Sequence, residues 1–112
     1  MALTIKSERV KGVRPKRFDR HGWLHYYVRI YVEEEGGSTQ LNGAEMVVYV
    51  LDPSFEDGRH VVSDDRKRNF QIEIWTYGFF PATAKILYKN GTFHTIEGNV
   101  QWEGRVEEEE YA

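Results

Sequence analysis

Alternation with a period of two constrains this chain more than any other feature. In WLHYYVRIYV, residues 23–32, Leu24, Tyr26, Val28, Ile30 and Val32 fall on one side, and Trp23, His25, Tyr27, Arg29 and Tyr31 on the other. That is the pattern of a long, half-buried β-strand. AEMVVYVL (44–51) is apolar at both parities and reads as a central strand covered on both faces. NFQIEIW (69–75) places Phe70, Ile72 and Ile74 inward, and FFPATAKILYK (79–89) does the same with Phe80, Ala82, Ala84, Ile86 and Tyr88. Asn90–Gly91 suits the positive φ angles of a type I′ turn. TFHTIEGNVQWE then closes the hairpin, with a bulge expected near Gly98. TIKSERV is a weaker strand, and His60–Val62 a short one inside the loop 56–69. Residues 33–43 read as a plain loop. Roughly six to eight short strands separated by turn signals predict an all-β fold, an antiparallel sandwich of two sheets with a small barrel as the alternative.

A chain of 112 residues has room for one domain and one core. It has no cysteine, which excludes disulfides and thiolate metal sites and fits a reducing compartment. The start, MALTIKSERV, lacks the apolar stretch of a signal peptide, and no apolar run reaches the ~20 residues of a membrane span. The expectation is a soluble cytoplasmic protein. Residues 1–20 carry seven basic side chains against Glu8 and Asp19, while EGRVEEEEYA is acidic. The chain as a whole carries a formal charge of −3, so the basic segment reads as a solvated arm, and neither nucleic acid nor membrane is an expected partner. The organisation expected is a basic arm at 1–20 that can hold a first strand, a sandwich at 21–104 and an acidic tail at 105–112.

No catalytic apparatus stands out. His21, His25, His60 and His94 never occur as His-x-His or at i, i+4 spacing, so no metal or cofactor is expected. The loop DPSFEDG offers oxygens at Asp52, Ser54, Glu56 and Asp57. Counted from Asp52, however, the sixth and twelfth positions are Asp57 and Ser63, not the glycine and glutamate of a calcium loop. Ser54 has no G-x-S-x-G frame, and phosphate-binding loops of the G-x-x-x-x-G-K-S/T type are absent. The chain reads as a binding protein rather than an enzyme.

Two loops carry the binding potential. Phe55 follows strand 44–51, and the aromatic cluster WTYGFF (75–80) follows strand 69–75. An immunoglobulin-like arrangement brings both to one rim, where Gly78 lets the backbone turn and leaves an adjacent amide N–H accessible. Two aromatic walls, a hydroxyl and an N–H make a slot for a flat, neutral amide. The same rings, in the other reading, plug the open end of the core.

Residues 23–102 resemble the YEATS domain family, most closely its prokaryotic form. VVYVLDPSF answers to the family's strand followed by His-x-Ser-Phe, WTYGFF to its Gly-Tyr/Trp-x-x-Phe loop, and YKNGTFHTIEG to its final hairpin. The resemblance implies an immunoglobulin-like sandwich that reads acetyl- or crotonyl-lysine. It implies that Phe55 and Tyr77 sandwich the acyl amide, that Ser54 hydrogen-bonds the acyl carbonyl with help from the Tyr77 N–H, and that Phe80 packs inward. Asp52 stands where the family has histidine, and Thr76 where it has the glycine before the loop tyrosine, so both belong with Ser54, Phe55, Tyr77 and Gly78 in the expected site. The partner implied is a protein or peptide carrying acylated lysine. Other readings are an adaptor sandwich with no such pocket, a binding surface on the outward face of strand 23–32, and carbohydrate recognition.

Overall fold

The computed structural model describes residues 3–14, 16–18, 23–34, 41–51, 60–76 and 78–102, with backbone only at 17, 18, 23 and 24. The strands are β1 (Leu3–Arg9), β2 (Lys16–Phe18), β3 (Trp23–Glu34), β4 (Ala44–Val50), β5 (His60–Ser63), β6 (Ile72–Thr76), β7 (Phe80–Tyr88) and β8 (Phe93–Val100). No α-helix occurs among the described residues, only a 3-10 turn at Arg66–Arg68.

β3 is the hub of the first sheet. Val28 pairs with Arg9 of β1 and with Ile74 of β6, so these strands flank β3 on opposite edges, while β2 pairs with residues 23–25 at its start. The second sheet runs β5-β4-β7-β8. Every pairing is antiparallel. The two sheets stack as a sandwich, an architecture compatible with the immunoglobulin-like class. β1 lies against β8 at one side and β5 beside β6 at the other.

Alternation decides what is buried. Val28, Ile30 and Val32 of β3 are fully buried, and so are Val47 and Tyr49 of β4, Ala84 and Ile86 of β7, and Val100. Burying each large aliphatic contributes about 1.5–3 kcal/mol. Leu3 and Ile5 join this core, so the first strand begins inside the basic segment. Phe80 packs inward as expected.

Four local expectations change. β4 is central within its sheet but, among the described residues, a second layer covers one face only: Met46, Val48 and Val50 point outward and are half-buried. Gly98 makes no bulge, because β7 and β8 pair without interruption from Phe80↔Val100 to Leu87↔Phe93. The glycine is there for sheet packing, since a Cβ on Gly98 would come within 3.0 Å of Ile5 Cβ. The register instead shifts in β4, between Ala44 and Met46.

The hairpin is not type I′ either, as Gly91 is at φ 89 while Asn90 is not among the positive-φ residues. The Gly91 N–H donates to Tyr88 O and the Tyr88 N–H to Thr92 O, giving a three-residue loop closed by a left-handed glycine. Asn90 Oδ1 accepts from the Thr92 N–H and from its hydroxyl, which holds the turn.

Finally, Phe70 reaches the core without being in a strand. Asn69 and Phe70 both lie at φ 55, in the left-handed region that costs a bulky residue ~1–2 kcal/mol. The Phe70 N–H donates to Asp65 O at 2.8 Å, its carbonyl accepts the Tyr49 hydroxyl at 2.6 Å, and its ring is 2 % exposed. Packing and hydrogen bonds together offset the strain.

Two predictions follow from this core. Gly98→Ala should cost ~1–3 kcal/mol of unfolding free energy by denaturant titration, and Ile5→Val in the same chain should recover little of it, because the closest contact is with the Cβ that valine keeps. Burial pushes the Tyr49 phenol far above its ordinary pKa of 10.0. The folded chain therefore holds that proton more tightly than the unfolded one, so stability is unaffected below pH ~10 and falls as pH rises beyond it. Tyr49→Phe should be ~1–3 kcal/mol less stable near neutrality, with the Phe70 carbonyl left unpaired, and should lose stability less steeply above pH ~10.

Candidate functional site

Register places the relevant strand ends together. Val50, the last residue of β4, pairs with Thr83 near the start of β7 and with His60, the first residue of β5. The segment 52–59 is thus bounded by strand ends at one rim. β7 itself begins at Phe80, four residues beyond the buried Thr76 that closes β6. The strand ends bounding residues 77–79 therefore meet the same rim. Asp52, Ser54, Phe55 and Tyr77, like the acidic segment at Glu56–Asp57 and the tail 105–112, lie outside the described residues.

Thr76 and Gly78 are described. Thr76 sits opposite Tyr26 on the inward face of β6 and is 2 % exposed. Its Oγ1 donates to Gly78 O at 3.0 Å and accepts the Gly78 N–H at 3.4 Å, folding the corner back on itself. Thr76 is therefore a positioning residue for this loop. The corner does not depend on the missing side chain of Gly78, which is not among the positive-φ glycines; a Cβ there would meet nothing within 4 Å.

Sequence reasoning passed over an aromatic cluster at this rim. Trp102 is 8 % exposed and lies 5.3 Å from Tyr26 and 4.5 Å from Phe79, ring centre to ring centre. Phe79 meets the indole edge-on and is 54 % exposed. The Arg9 guanidinium rests 5.1 Å from the centre of the Tyr26 ring. The indole Nε1 is buried and has no hydrogen-bond partner among the described residues. The available signal was parity, because Ile96, Gly98, Val100 and Trp102 share one face of the last strand and its extension. The rim thus carries apolar rings and a cation, with the indole N–H beneath its surface.

The outward face of β3 is a different surface. Arg29 bridges Glu8 at 3.1 Å and Glu73 at 3.5 Å. The Tyr31 hydroxyl donates to Glu8 and the Tyr27 hydroxyl to Glu73, each at 3.4 Å. Partial burial, with these carboxylates beside them, raises both phenols above their ordinary range. Tyr27 packs on Trp75, whose ring lies under the Lys16 ammonium. These side chains bind one another, although Arg29 Nε is buried with no hydrogen-bond partner among the described residues, and each exposed ion pair contributes only ~0.2–1 kcal/mol.

Among the described residues, no group of three or more His, Cys, Asp or Glu side chains is placed to hold a metal ion. No helix among them is long and apolar enough to cross a membrane. Thr76→Val should keep the shape, lose ~1 kcal/mol, and speed hydrogen exchange at the Gly78 amide more than at core amides of β7.

The prokaryotic YEATS domain matches residues 26–100, two-thirds of the sequence. No protein of curated function matches significantly.

Proposed function

Because the chain belongs to the prokaryotic YEATS domain family, we propose that it is a non-catalytic binding module taking an acylated-lysine-like amide in an aromatic slot at the loop end of the sandwich. The observation that supports this reading is the register that ends β4 and β6 at one rim, with segment 52–59 and position 77 between those strand ends and their successors. In this reading Phe55 and Tyr77 are the walls of the slot. Ser54 donates its hydroxyl proton to the acyl carbonyl and the Tyr77 N–H assists. Thr76 and Gly78 set the corner that carries Tyr77, and Asp52 forms the wall beside Ser54.

The chemistry favours acylated over free lysine. Acylation removes the charge and leaves a planar amide that stacks between two rings, each contact contributing about 0.5–1.5 kcal/mol beyond area burial. A neutral hydrogen bond adds about 1 kcal/mol. An ammonium in the same slot would lose water without gaining a carboxylate. The sum is small, so a single site binds no tighter than micromolar.

Peptides bearing acetyl-, crotonyl- or unmodified lysine, titrated by calorimetry against wild type, Phe55→Ala and Tyr77→Ala, test the proposal. The expected result is micromolar binding of acylated peptides only, weakened at least ~10-fold in each variant. An adaptor without a pocket would bind all three peptides alike or none. Variants that lose ~3–5 kcal/mol of stability while no peptide binds would instead make the rings plugs of the core.

A further inference from the structure

The basic and acidic segments lie at opposite ends of the sequence, and the fold brings them to one place. The Gln101 N–H donates to Ser7 Oγ at 2.9 Å, and the Ser7 hydroxyl donates to Gln101 O at 2.6 Å. Ile5 lies against Gly98, so β1 and the end of β8 run side by side in the same direction. Arg9 comes two residues after Ser7, and its guanidinium rests on Tyr26, the ring that Trp102 also meets.

Beyond Arg9 the chain turns at Gly12, with the Val10 N–H donating to Tyr27 O and the Val13 N–H to Val10 O. It re-enters the sheet at Lys16, opposite His25. Lys11, Arg14 and Lys16 are exposed, and no described carboxylate pairs with them. Glu8 and Glu73 are both held by Arg29 instead. Past Trp102 the charge changes sign, because residues 103–112 read EGRVEEEEYA, with five glutamates against Arg105.

We propose that the tail 103–112 docks on this basic surface, with Glu107–Glu110 set against Lys11, Arg14 and Lys16. There it is a tethered occupant that any acidic ligand of the surface must displace. Direction and reach both allow this. At Gln101 the chain is heading the way β1 leads, toward Lys11. Glu107 is five residues past Trp102 and Glu110 eight, which extended chain spans in up to ~17 and ~27 Å.

Energetics require the tether. Exposed ion pairs are individually weak, and a separate acidic peptide would hold poorly on three or four cations. A segment fastened by Gln101 at the edge of the surface meets it at an effective concentration near the millimolar range. Cations gathered without described counter-charges attract it further. This inference does not depend on the slot at the rim.

A spin label tests it. The chain has no cysteine, so Ala112→Cys carries a single nitroxide at the end of the tail, and its approach broadens amide signals. At low salt the broadening should be stronger at Lys11, Arg14 and Lys16 than at Phe79, whose ring also touches Trp102 at the root of the tail. The excess should vanish in the combined variant Glu107→Gln, Glu108→Gln, Glu109→Gln and Glu110→Gln. It should also vanish in about 1 M NaCl, where the screening length is ~3 Å. Lys11→Glu with Arg14→Glu should remove it too. Thermal melts identify a reversal that fails to fold, in which case Lys11→Gln with Arg14→Gln replaces it with the same expectation. Hexaglutamate, the probe for an acidic ligand, should bind the glutamine variant ~3-fold or more tighter than wild type, because no tethered competitor remains. Broadening as strong at Phe79, an excess that survives the glutamine changes or the salt, or equal hexaglutamate binding by wild type and variant overturns the proposal.

Discussion

The structure depends on the register of β3. Val28, Ile30 and Val32 fill the space between the sheets with no exposed surface, while Tyr27, Arg29 and Tyr31 face out and link to Glu8 and Glu73. Because side chains alternate strictly, a slip of one residue would drive a guanidinium and two phenols into the core. It would also leave the aliphatic stripe in water. β1 and β6 read their own registers from the two edges of this strand, so the placement of both sheets is set there.

That framework makes the rim a consequence of pairing. Once Val50 is opposite Thr83 and Phe80 opposite Val100, the ends of β4 and β8 and the start of β7 share one end of the second sheet. Trp102 then extends the inward parity of β8 by one step and meets Tyr26 from the other sheet. Thr76 is the link between them: opposite Tyr26, it spends its hydroxyl on the backbone of Gly78. The sandwich thus fixes where the connections at this rim begin and end.

Strands were legible because burial on one face imposes period two, and β3, β7 and β8 show it without interruption. What escaped the sequence is tertiary. Gly98 suggested a bulge, but its reason is Ile5, ninety-three positions away in the chain and 3.0 Å from the Cβ it lacks. Phe70 has the parity of a strand residue yet arrives by a left-handed turn held by the Tyr49 hydroxyl. The run in β4 reads as buried on both sides, whereas among the described residues a second layer covers only one. Of the expected site, Thr76 and Gly78 had their loop identified from sequence. Their mutual hydrogen bonds, and the Phe79–Trp102–Tyr26 cluster beside them, were hidden because such contacts have no sequence period.

The misreading of β4 has a physical cause. Met46, Val48 and Val50 face away from the space between the sheets yet are half-buried, because their own sheet flanks them: Leu87 lies beside Met46, and Val62 and Lys85 lie beside Val48. Cross-strand neighbours cover part of such a side chain without a second layer, so apolar residues at both parities of a central strand do not by themselves specify cover on both faces.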